Sequence, residues 1–325
     1  NQAGALVHVY VDGSVLINHG GTEMGQGLNT KVAQIVAGEL GISLAQVRAT
    51  ATDTSKVPNT SATAASTGAD LNGKAAESAA RTIRLRLAEL AARSFGGGPA
   101  EVVFKDDTVT ANGSTVSFKE LVAEAYNARV QLWSDGFYKT PKLHWDRASL
   151  TGRPFFYFAY GAAVSEVLLD TLTGEWKLLR ADLLHDAGNS INSAIDLGQV
   201  EGAFIQGMGW LTMEELWWNA DGRLMTHAPS TYKIPAVNDC PADLRARLFH
   251  NPNHEETVLR SKAVGEPPLL LSFSVFFAIR DAVASLGGNR VNPPLNAPAT
   301  PERILAAVNA VQASTDAHAP ADSVA

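Results

Sequence analysis

The sequence predicts an α+β (mixed α/β) fold, in which several small mixed sheets built from hairpins are packed by long helices. Segments with alternating apolar and polar residues lie on both sides of turn residues, which is typical of hairpins. Between them lie segments whose apolar residues recur every three or four positions, which is typical of helices. Because the two kinds of segment alternate irregularly, we expect no doubly wound parallel sheet.

The composition and charge of the sequence exclude several classes of function. The chain has 325 residues, of which 46% are hydrophobic and 18% are charged, so most of it is expected to be packed rather than disordered. The formal net charge is −7, and the sequence has no block of Lys and Arg that could neutralise phosphates. We therefore expect no non-specific binding to nucleic acid. The one cysteine, Cys240, cannot form an internal disulfide or hold an iron–sulfur cluster. It fits a reducing compartment, and we expect a cytoplasmic protein.

Two features of the sequence bear on membrane insertion: the N-terminal residues and the longest apolar stretch. The chain begins at Asn1, as if cut from a longer sequence, and no signal peptide opens it. Residues 269–279 are interrupted by two serines and are fewer than the roughly 20 residues that a membrane helix needs. The sequence therefore predicts a soluble protein without a membrane partner.

The first part of the sequence predicts two successive units of strand, loop and helix. Alternating residues around Asp12-Gly13-Ser14 predict a hairpin, and Gly41 is placed to end the first helix. A segment rich in Ala, Leu, Arg and Glu predicts the second, longer helix, which follows a polar loop. The predicted bounds are 6–11 and 15–18 for the hairpin strands, 28–40 for the first helix, 47–52 for the next strand, 53–67 for the polar loop and 68–95 for the second helix.

The second part predicts a long hairpin and two buried helices. Turn residues at 171–174 separate the hairpin strands, and glycines in the segment 195–218 permit close approach of a neighbour or ligand. The predicted elements are strands at 101–104 and 108–110, a helix at 118–126, an irregular stretch to 154, hairpin strands at 155–170 and 175–186, buried helices at 195–218 and 269–286, and a last helix at 303–311. We divide the chain into a first part at 1–150, a second at 151–312 and a tail at 313–325.

The first candidate site is the loop Gly-Gly-Thr-Glu-Met-Gly-Gln-Gly at 20–27. Four glycines between a strand and a helix let N–H groups point into a concavity at the positive end of the helix, where an anion or polar heterocycle can bind. The loop is neither a dinucleotide fingerprint nor a Walker A motif. A tight turn without a ligand is the alternative, and the local pattern leaves both open.

The second candidate is the start of the long helix. Ser66 or Thr67 as N-cap would satisfy the first helix amides, and capping alone is the simpler interpretation. Hydroxyl and N–H groups at a helix start also bind phosphate, so a phosphate site is the functional alternative.

The third candidate is Glu266, which precedes two prolines and an apolar helix. Because a residue before proline is disfavoured in the α region, we expect Glu266 on extended backbone. We also expect its carboxylate to be buried among apolar side chains, which raises its pKa and makes it a stronger base, while a helix N-terminus acts in the opposite direction. A surface ion pair with Lys262 is the alternative.

Five motifs occur along the chain: GGTEMGQG at 20–27, PNTSATAAS at 58–66, QVEGAFIQG at 199–207, PSTYKIP at 229–235 and AVGEPPL at 263–269. In this order they resemble the molybdenum-binding portion of the xanthine dehydrogenases, in the xanthine oxidase family of molybdenum hydroxylases. The resemblance covers about residues 6–284, and five motifs in sequence are far more specific than one glycine loop.

The resemblance implies the fold of a molybdopterin-binding domain and part of an enzyme that oxidises xanthine or hypoxanthine to urate with oxygen from water. It implies molybdopterin as the cofactor, with a molybdenum that carries oxo and sulfido ligands. The pterin sulfurs hold the metal, so no protein ligand to it is expected. Electrons would pass to iron–sulfur clusters and FAD on partner domains and then to NAD.

The resemblance also assigns residues to roles. Glu266 matches the catalytic glutamate, a general base that activates the oxygen nucleophile. Ser66, Thr67 and Gly68 match the stretch near the cofactor phosphate, and Ala65 lies where the family's chain passes close to the metal. The other residues that match cofactor contacts are Met24, Gly25, Gln26, Gln206, Lys262, Val264 and Gly265.

The family's substrate-orienting residues lie upstream of the first motif, so this sequence does not contain them. The resemblance therefore implies the C-terminal half of a molybdenum subunit. Its expected partners are the purine substrate, the N-terminal half of the subunit and an iron–sulfur/FAD subunit or domains, in a higher oligomer. Exposed apolar faces of the chain are expected to need that missing half.

Two alternatives stay open. An aldehyde oxidase-like molybdenum hydroxylase shares the glycine loop and the glutamate, but the motifs at 229–235 and 265–269 resemble the xanthine dehydrogenases most closely. A phosphate- or nucleotide-binding module without catalysis, which would use the helix starts at 28 and 68, is the alternative from another class.

Overall fold

The computed structural model describes residues 1–57 and 59–317, which form two compact units. Unit 1 comprises Asn1–Ala159, Ala187–Asp196 and His250–Ala263. Unit 2 comprises Tyr160–Asp186, Leu197–Phe249 and the described residues from Val264 onward. Pro58 of the second motif and residues 318–325 of the predicted tail lie outside the described residues.

Unit 1 contains most of the strands. Its strands are β1 (Gln2–Val9), β2 (Val15–His19), β3 (Val47–Ala49), β4 (Val103–Lys105), β5 (Thr108–Ala111), β6 (Ser114–Ser117), β7 (Trp133–Lys139), β8 (His144–Asp146) and β9 (Thr151–Arg153). Its complete helices are α1 (Leu28–Leu40), α2 (Gly68–Phe95) and α3 (Phe118–Asn127). The predicted first hairpin and the bounds of both long helices are confirmed.

A four-stranded mixed sheet with the order β3-β2-β1-β7 supports the helices of unit 1. The strand β3 runs parallel to β2, and the other pairs are antiparallel. Alternate residues of β1 are buried, and α2 packs against β1, β7 and α1. A Cβ atom at Gly136 of β7 would lie 2.0 Å from the carbonyl oxygen of Ala75 in α2, so the close approach needs glycine. The remaining strands of unit 1 form the sheets β4-β5-β6 and β8-β9.

Three strand predictions in unit 1 are wrong. The predicted irregular stretch before residue 154 contains β7, β8 and β9, and the region after residue 110 contains β6. Strand propensity does not predict β7, because its buried positions include Ser134 and Gly136 instead of branched or aromatic residues. The strand β3 ends at Ala49, three residues before the predicted end.

Unit 2 has a three-stranded sheet with the order β10 (Gly161–Leu169), β11 (Trp176–His185) and β12 (Asp243–Leu248). The hairpin β10-β11 is antiparallel, as predicted, although its first strand begins at 161 instead of 155. The strand β12 runs parallel to β11. The helices are α4 (Ser193–Thr212), which begins in unit 1, α5 (Phe273–Ser285), which packs against β10, and α6 (Pro301–Ala317).

The helix predictions in this half need correction. The helix α4 ends at Thr212, and it is not buried all round: Val200, Phe204 and Met208 are buried, whereas Gln206 and Trp210 are exposed. The helix α5 also buries one face only, and a 3₁₀ turn at Pro267–Ser272 precedes it. The helix α6 extends past the predicted end at 311, so residues 313–317 of the predicted tail are helical.

The turn and α5 together form one continuous apolar stretch, which the sequence argument underestimated. Within the described residues, Pro267–Ser285 has the length and composition of a membrane span, a test that core helices of water-soluble proteins also pass. The predicted α+β class with small mixed sheets and long helices is confirmed.

Candidate functional site

The glycine loop at 20–27 connects β2 to α1, and the carboxylate of Glu23 occupies its concavity. One oxygen of Glu23 accepts the N–H groups of Gly25 and Gly27, each at 2.9 Å, and the other accepts the N–H of Asn29 at 2.9 Å. Desolvation acts to raise the pKa of Glu23, but the N–H groups of Asn29, Gly27 and Gly25 together lower it. The positive end of α1 thus carries an anion from the loop itself.

Other side chains satisfy the rest of the loop. The amide oxygen of Gln26 accepts the N–H of Met24 at 2.5 Å, and its NH₂ group donates to the carbonyl oxygen of Thr22 at 2.8 Å. The N–H of Thr22 donates to the hydroxyl oxygen of Thr63 at 2.8 Å. Several N–H groups of the loop thus already have partners within the chain, while the side chain of Met24 remains exposed.

His19 lies at the base of the loop and is fully buried. Its Nδ1 accepts the N–H of Gly21 at 3.1 Å, so the neutral ring carries its proton on Nε2. Burial lowers the pKa of His19, against the opposing effects of Asn29 and Glu23. The sequence analysis missed both His19 and Glu23; an acidic residue just before a helix start was the available signal.

The start of α2 has a different structure. Ala65 and Ser66 adopt left-handed backbone angles, with φ of 53° and 54°. Such angles are uncommon for residues other than glycine and cost of order 1–3 kcal/mol each. Thr67 is the N-cap residue, but its hydroxyl donates to the carbonyl oxygen of Ala64 at 3.0 Å and makes no capping hydrogen bond. The capping interpretation of Thr67 is therefore wrong.

Asp70, in the first turn of α2, is the acid with the clearest perturbation. Burial raises its pKa to about 7, although a hydrogen bond from Tyr157 and the charge of Lys31 act to lower it. The hydroxyl of Tyr157 donates to Asp70 and accepts the N–H of Ala263 at 2.9 Å. Burial and the neighbouring Asp70 raise the pKa of Tyr157 as well. The sequence analysis missed this relay, because its residues are far apart in sequence.

The chain segment before Ala263 is also anchored within unit 1. Lys262 is buried, and its N–H donates to the carbonyl oxygen of Ala187 at 2.8 Å. The alternative interpretation placed Lys262 on the surface, and that placement is wrong. Nearby in the same unit, the buried side chains of Lys31 and Asp196 form an ion pair, and Ser190 donates to Asp196 at 2.5 Å.

Glu266 lies in unit 2, and both structural expectations for it need correction. Its side chain is exposed, not buried among apolar residues. Its backbone lies in the α region, with φ of −95° and ψ of −39°, not in the extended region. The reason is the 3₁₀ turn that starts there, since the carbonyl oxygen of Glu266 accepts the N–H of Leu269 at 3.0 Å. Val264 is buried and Gly265 is exposed.

The helix α4 packs closely on this turn. A Cβ atom at Gly207 would lie 2.8 Å from the carbonyl oxygen of Leu269 and 2.2 Å from the hydroxyl oxygen of Ser272. Gln206 precedes Gly207 in sequence and is exposed.

The predicted site residues are divided between the two units. In unit 1 the starts of α1 and α2 adjoin, because a Cβ atom at Gly68 would lie 3.3 Å from Cδ2 of Leu28. Unit 1 contains Met24, Gly25, Gln26, Ala65, Ser66, Thr67, Gly68 and Lys262, and unit 2 contains Gln206, Val264, Gly265 and Glu266. Among the described residues, no cluster of three or more His, Cys, Asp or Glu could hold a metal ion.

Comparison with known proteins places these features in context. Residues 1–241 match the family described as molybdopterin cofactor-binding domain. The chain is 47% identical over 310 residues to xanthine dehydrogenase/oxidase of Mus musculus, covering 94% of this chain and 22% of that protein. It is 45% identical over 322 residues to xanthine dehydrogenase of Oryza sativa subsp. japonica, covering 96% and 22%. The chain therefore spans about a fifth of the length of these relatives.

A solved structure gives the corresponding result for the fold. The crystal structure of quinoline 2-oxidoreductase from Pseudomonas putida 86 matches with a TM-score of 0.80 and 26% identity. The match covers 95% of this chain and 38% of that chain.

Proposed function

The chain belongs to the molybdopterin cofactor-binding domain family, and we propose that it forms the C-terminal part of the molybdenum-binding region of an enzyme that oxidises xanthine or hypoxanthine to urate. The identity of 45–47% to xanthine dehydrogenases over most of the chain supports this substrate class. It favours purine oxidation over aldehyde oxidation and over a non-catalytic nucleotide-binding module.

The start of α2 is the observation that carries the cofactor assignment. Left-handed angles at two residues that are not glycine are a local strain, and such strain collects at ligand sites. Thr67 leaves the start of the helix without a side-chain cap, which fits a phosphate group as the anion at that position. We therefore assign the cofactor phosphate to Ser66, Thr67 and Gly68, with Ala65 next to the metal end.

The glycine loop fits the cofactor in another way. The N–H groups of Gly25 and Gly27 donate to Glu23 of the same loop, so we do not assign an anion to the loop backbone. Gly25 has no atom within 4 Å of the position of a Cβ atom, which leaves room for a flat ring beside it. Met24 and Gln26 flank this open position, and we assign them to the pterin together with Gln206, Lys262, Val264 and Gly265.

We assign the general base to Glu266. When bound, the cofactor supplies the redox chemistry, and its molybdenum, with oxo and sulfido ligands, accepts the electrons from the substrate. The part of Glu266 is to take up one proton at a carboxylate oxygen as the oxygen nucleophile is activated. Because Glu266 is exposed in this chain, which spans 22% of the length of its relatives, we propose that other parts of the complete protein cover it and exclude water.

The remaining proposals concern the complete assembly. Iron–sulfur clusters and FAD would lie on partner domains and pass electrons to NAD, and the N-terminal half of the molybdenum region would supply the substrate-orienting residues. We propose a cytoplasmic higher oligomer without a membrane or nucleic-acid partner. The single cysteine supports a reducing compartment, and the sequence has no block of Lys and Arg that would favour nucleic acid.

The decisive experiment uses the complete assembly. Glu266→Gln should lower turnover of xanthine by about a hundredfold or more, because a positioned base contributes that much, while molybdenum content stays normal. Glu256→Gln, which alters an exposed carboxylate in unit 1, is the control. Near-normal turnover in Glu266→Gln would remove the base from the mechanism, and faster turnover of benzaldehyde than of xanthine by the wild type would favour the aldehyde alternative.

A further inference from the structure

The helix starts of α1 and α2 both have N–H groups and a nearby carboxylate, but at α1 the carboxylate accepts hydrogen bonds from these N–H groups. Three N–H groups, those of Gly25, Gly27 and Asn29, donate to the single carboxylate of Glu23. At α2 the hydroxyl of Thr67 donates to the preceding turn, and Asp70 accepts a hydrogen bond from Tyr157.

The bonds of Glu23 restrain the glycines of the loop, in addition to the hydrogen bonds that Gln26 and Thr63 make to its backbone. Gly25 and Gly27 have φ of 101° and 77°, angles that glycine readily adopts and as readily leaves. A charge-assisted hydrogen bond to each of their N–H groups limits that freedom. The same carboxylate occupies the place where a phosphate would bind at the N-terminus of α1, and its charge repels a second anion.

We propose that Glu23 is a positioning residue that holds the glycine loop ready for the pterin and closes the start of α1 to phosphate, so that the cofactor phosphate is directed to the start of α2. This inference rests on the proposed cofactor function and goes beyond it, since it states which of two adjoining helix starts is selected and why. Glu23 itself touches neither the substrate nor the reacting atoms in this proposal.

The first test measures amide hydrogen exchange in the full chain without cofactor. In Glu23→Gln, exchange at Gly25, Gly27 and Asn29 should become roughly five- to tenfold faster, because the charged acceptor is lost. Exchange in the buried part of α2 at Ile83 should not change, which controls for global unfolding. Glu201→Gln, at an exposed position of α4, should leave the loop amides unchanged. Unchanged exchange at the three amides would overturn the proposal.

The second test uses inorganic phosphate and the cofactor as probes. In the wild type, phosphate should shift the amide resonances at 68–70 and not those at 25–29, whereas in Glu23→Gln it should shift both. The variant should also retain severalfold less molybdopterin in the complete assembly, and Glu23→Asp, which keeps the charge, should restore part of it. Faster loop exchange with normal cofactor retention and no phosphate response at 25–29 would overturn the role in positioning.

A pH titration of the wild type tests whether Glu23 holds the loop, even if Glu23→Gln does not fold. The resonances of Gly25 and Gly27 should shift together, at a pH below the usual range for glutamate, as Glu23 takes up a proton. If they do not respond, Glu23 does not hold the loop. A wild-type assembly without molybdopterin would refute the proposed function, while the exchange and titration results would still report on Glu23.

Discussion

The two helix starts of unit 1 solve the same electrostatic problem in opposite ways. Each exposes N–H groups that favour a negative charge, and each has one carboxylate within its first turn or the loop before it. At α1 the pKa of Glu23 is lowered by the N–H groups that it accepts, after burial has acted to raise it. At α2 burial raises the pKa of Asp70 to about 7. One start carries a fixed charge, and the other has a carboxylate that is half protonated near neutral pH.

This difference indicates where an external anion can bind. A phosphate at α1 would have to displace an ionised carboxylate that accepts three hydrogen bonds. A phosphate at α2 would meet a strained backbone at Ala65 and Ser66 and a carboxylate that is easily neutralised. The start of α2 is therefore the better phosphate site, although the more glycine-rich loop precedes α1.

The largest effect is expected from the buried ion pair that supports α1. Lys31→Met leaves Asp196 charged and buried, with Ser190 as its remaining side-chain donor among the described residues, and should lower the free energy of unfolding by about 3–5 kcal/mol. Lys74→Met, which breaks a more exposed pair with Glu77 on α2, should cost about 1 kcal/mol or less. Urea denaturation of both variants measures the contrast, and equal losses would show that α1 does not depend on its buried charge.

The next effect is a pH dependence from the start of α2. Because the pKa of Asp70 is raised in the folded state from 3.8 to about 7, the folded chain binds the proton more tightly than the unfolded chain. Its contribution to stability is fully present below pH 3.8 and is lost as the pH rises toward 7, by up to about 1.4 kcal/mol per pH unit. Urea denaturation between pH 4.5 and 6.5 should show this slope, and Asp70→Asn should remove it. An identical slope in the variant would locate the proton elsewhere.

The contribution of Glu23 to stability should change with pH in the opposite direction to that of Asp70. Because its pKa is lowered in the folded state, its stabilising effect is present above the usual glutamate range and is lost as the pH falls through the folded pKa. Glu23→Gln should therefore flatten the acid side of the stability curve and leave the slope of stability with pH near pH 6 unchanged, with an overall loss of stability there. If the two carboxylates influence stability in the same direction, the contrast between the helix starts is wrong.

The smallest effects on stability are expected from substitutions at residues with positive φ at the two helix starts. Ala65→Gly at α2 should stabilise the chain by about 0.5–1 kcal/mol, because it relieves a left-handed angle, and should weaken cofactor retention. Gly27→Ala at α1 should destabilise it by about 1–2 kcal/mol, because φ is 77° and the new Cβ atom would lie 2.8 Å from Cδ1 of Ile195. Thermal or urea denaturation gives the signs, and a loss of stability in Ala65→Gly would contradict strain at α2.

The sequence predicts the two long helices of unit 1 well, because an apolar stripe and terminal glycines coincide there. Gly41 and Gly96 follow α1 and α2 with positive φ, as helix-ending glycines do. The strand β7 could not be predicted from local sequence. It contains Gly136 because the backbone of α2, which is far away in sequence, packs too closely for a side chain at that position. Contacts with distant elements decide such positions.

The same limit applies to the site. The motifs predict candidate residues along the chain, but they do not show that Glu23 accepts the loop amides or that Tyr157 joins Asp70 to Ala263. The exposure of Glu266 also contradicts an argument from its apolar neighbours, because sequence neighbours on a turn need not surround a side chain. Local sequence indicates what a residue can do, and the fold decides which partner it has.

Phosphate titration of the full chain, followed by backbone amide resonances, tests the central claim most directly. The account predicts shifts at residues 68–70, at the start of α2, with no change at 25–29 while Glu23 is intact. Shifts confined to the glycine loop, with the start of α2 unaffected, would contradict it.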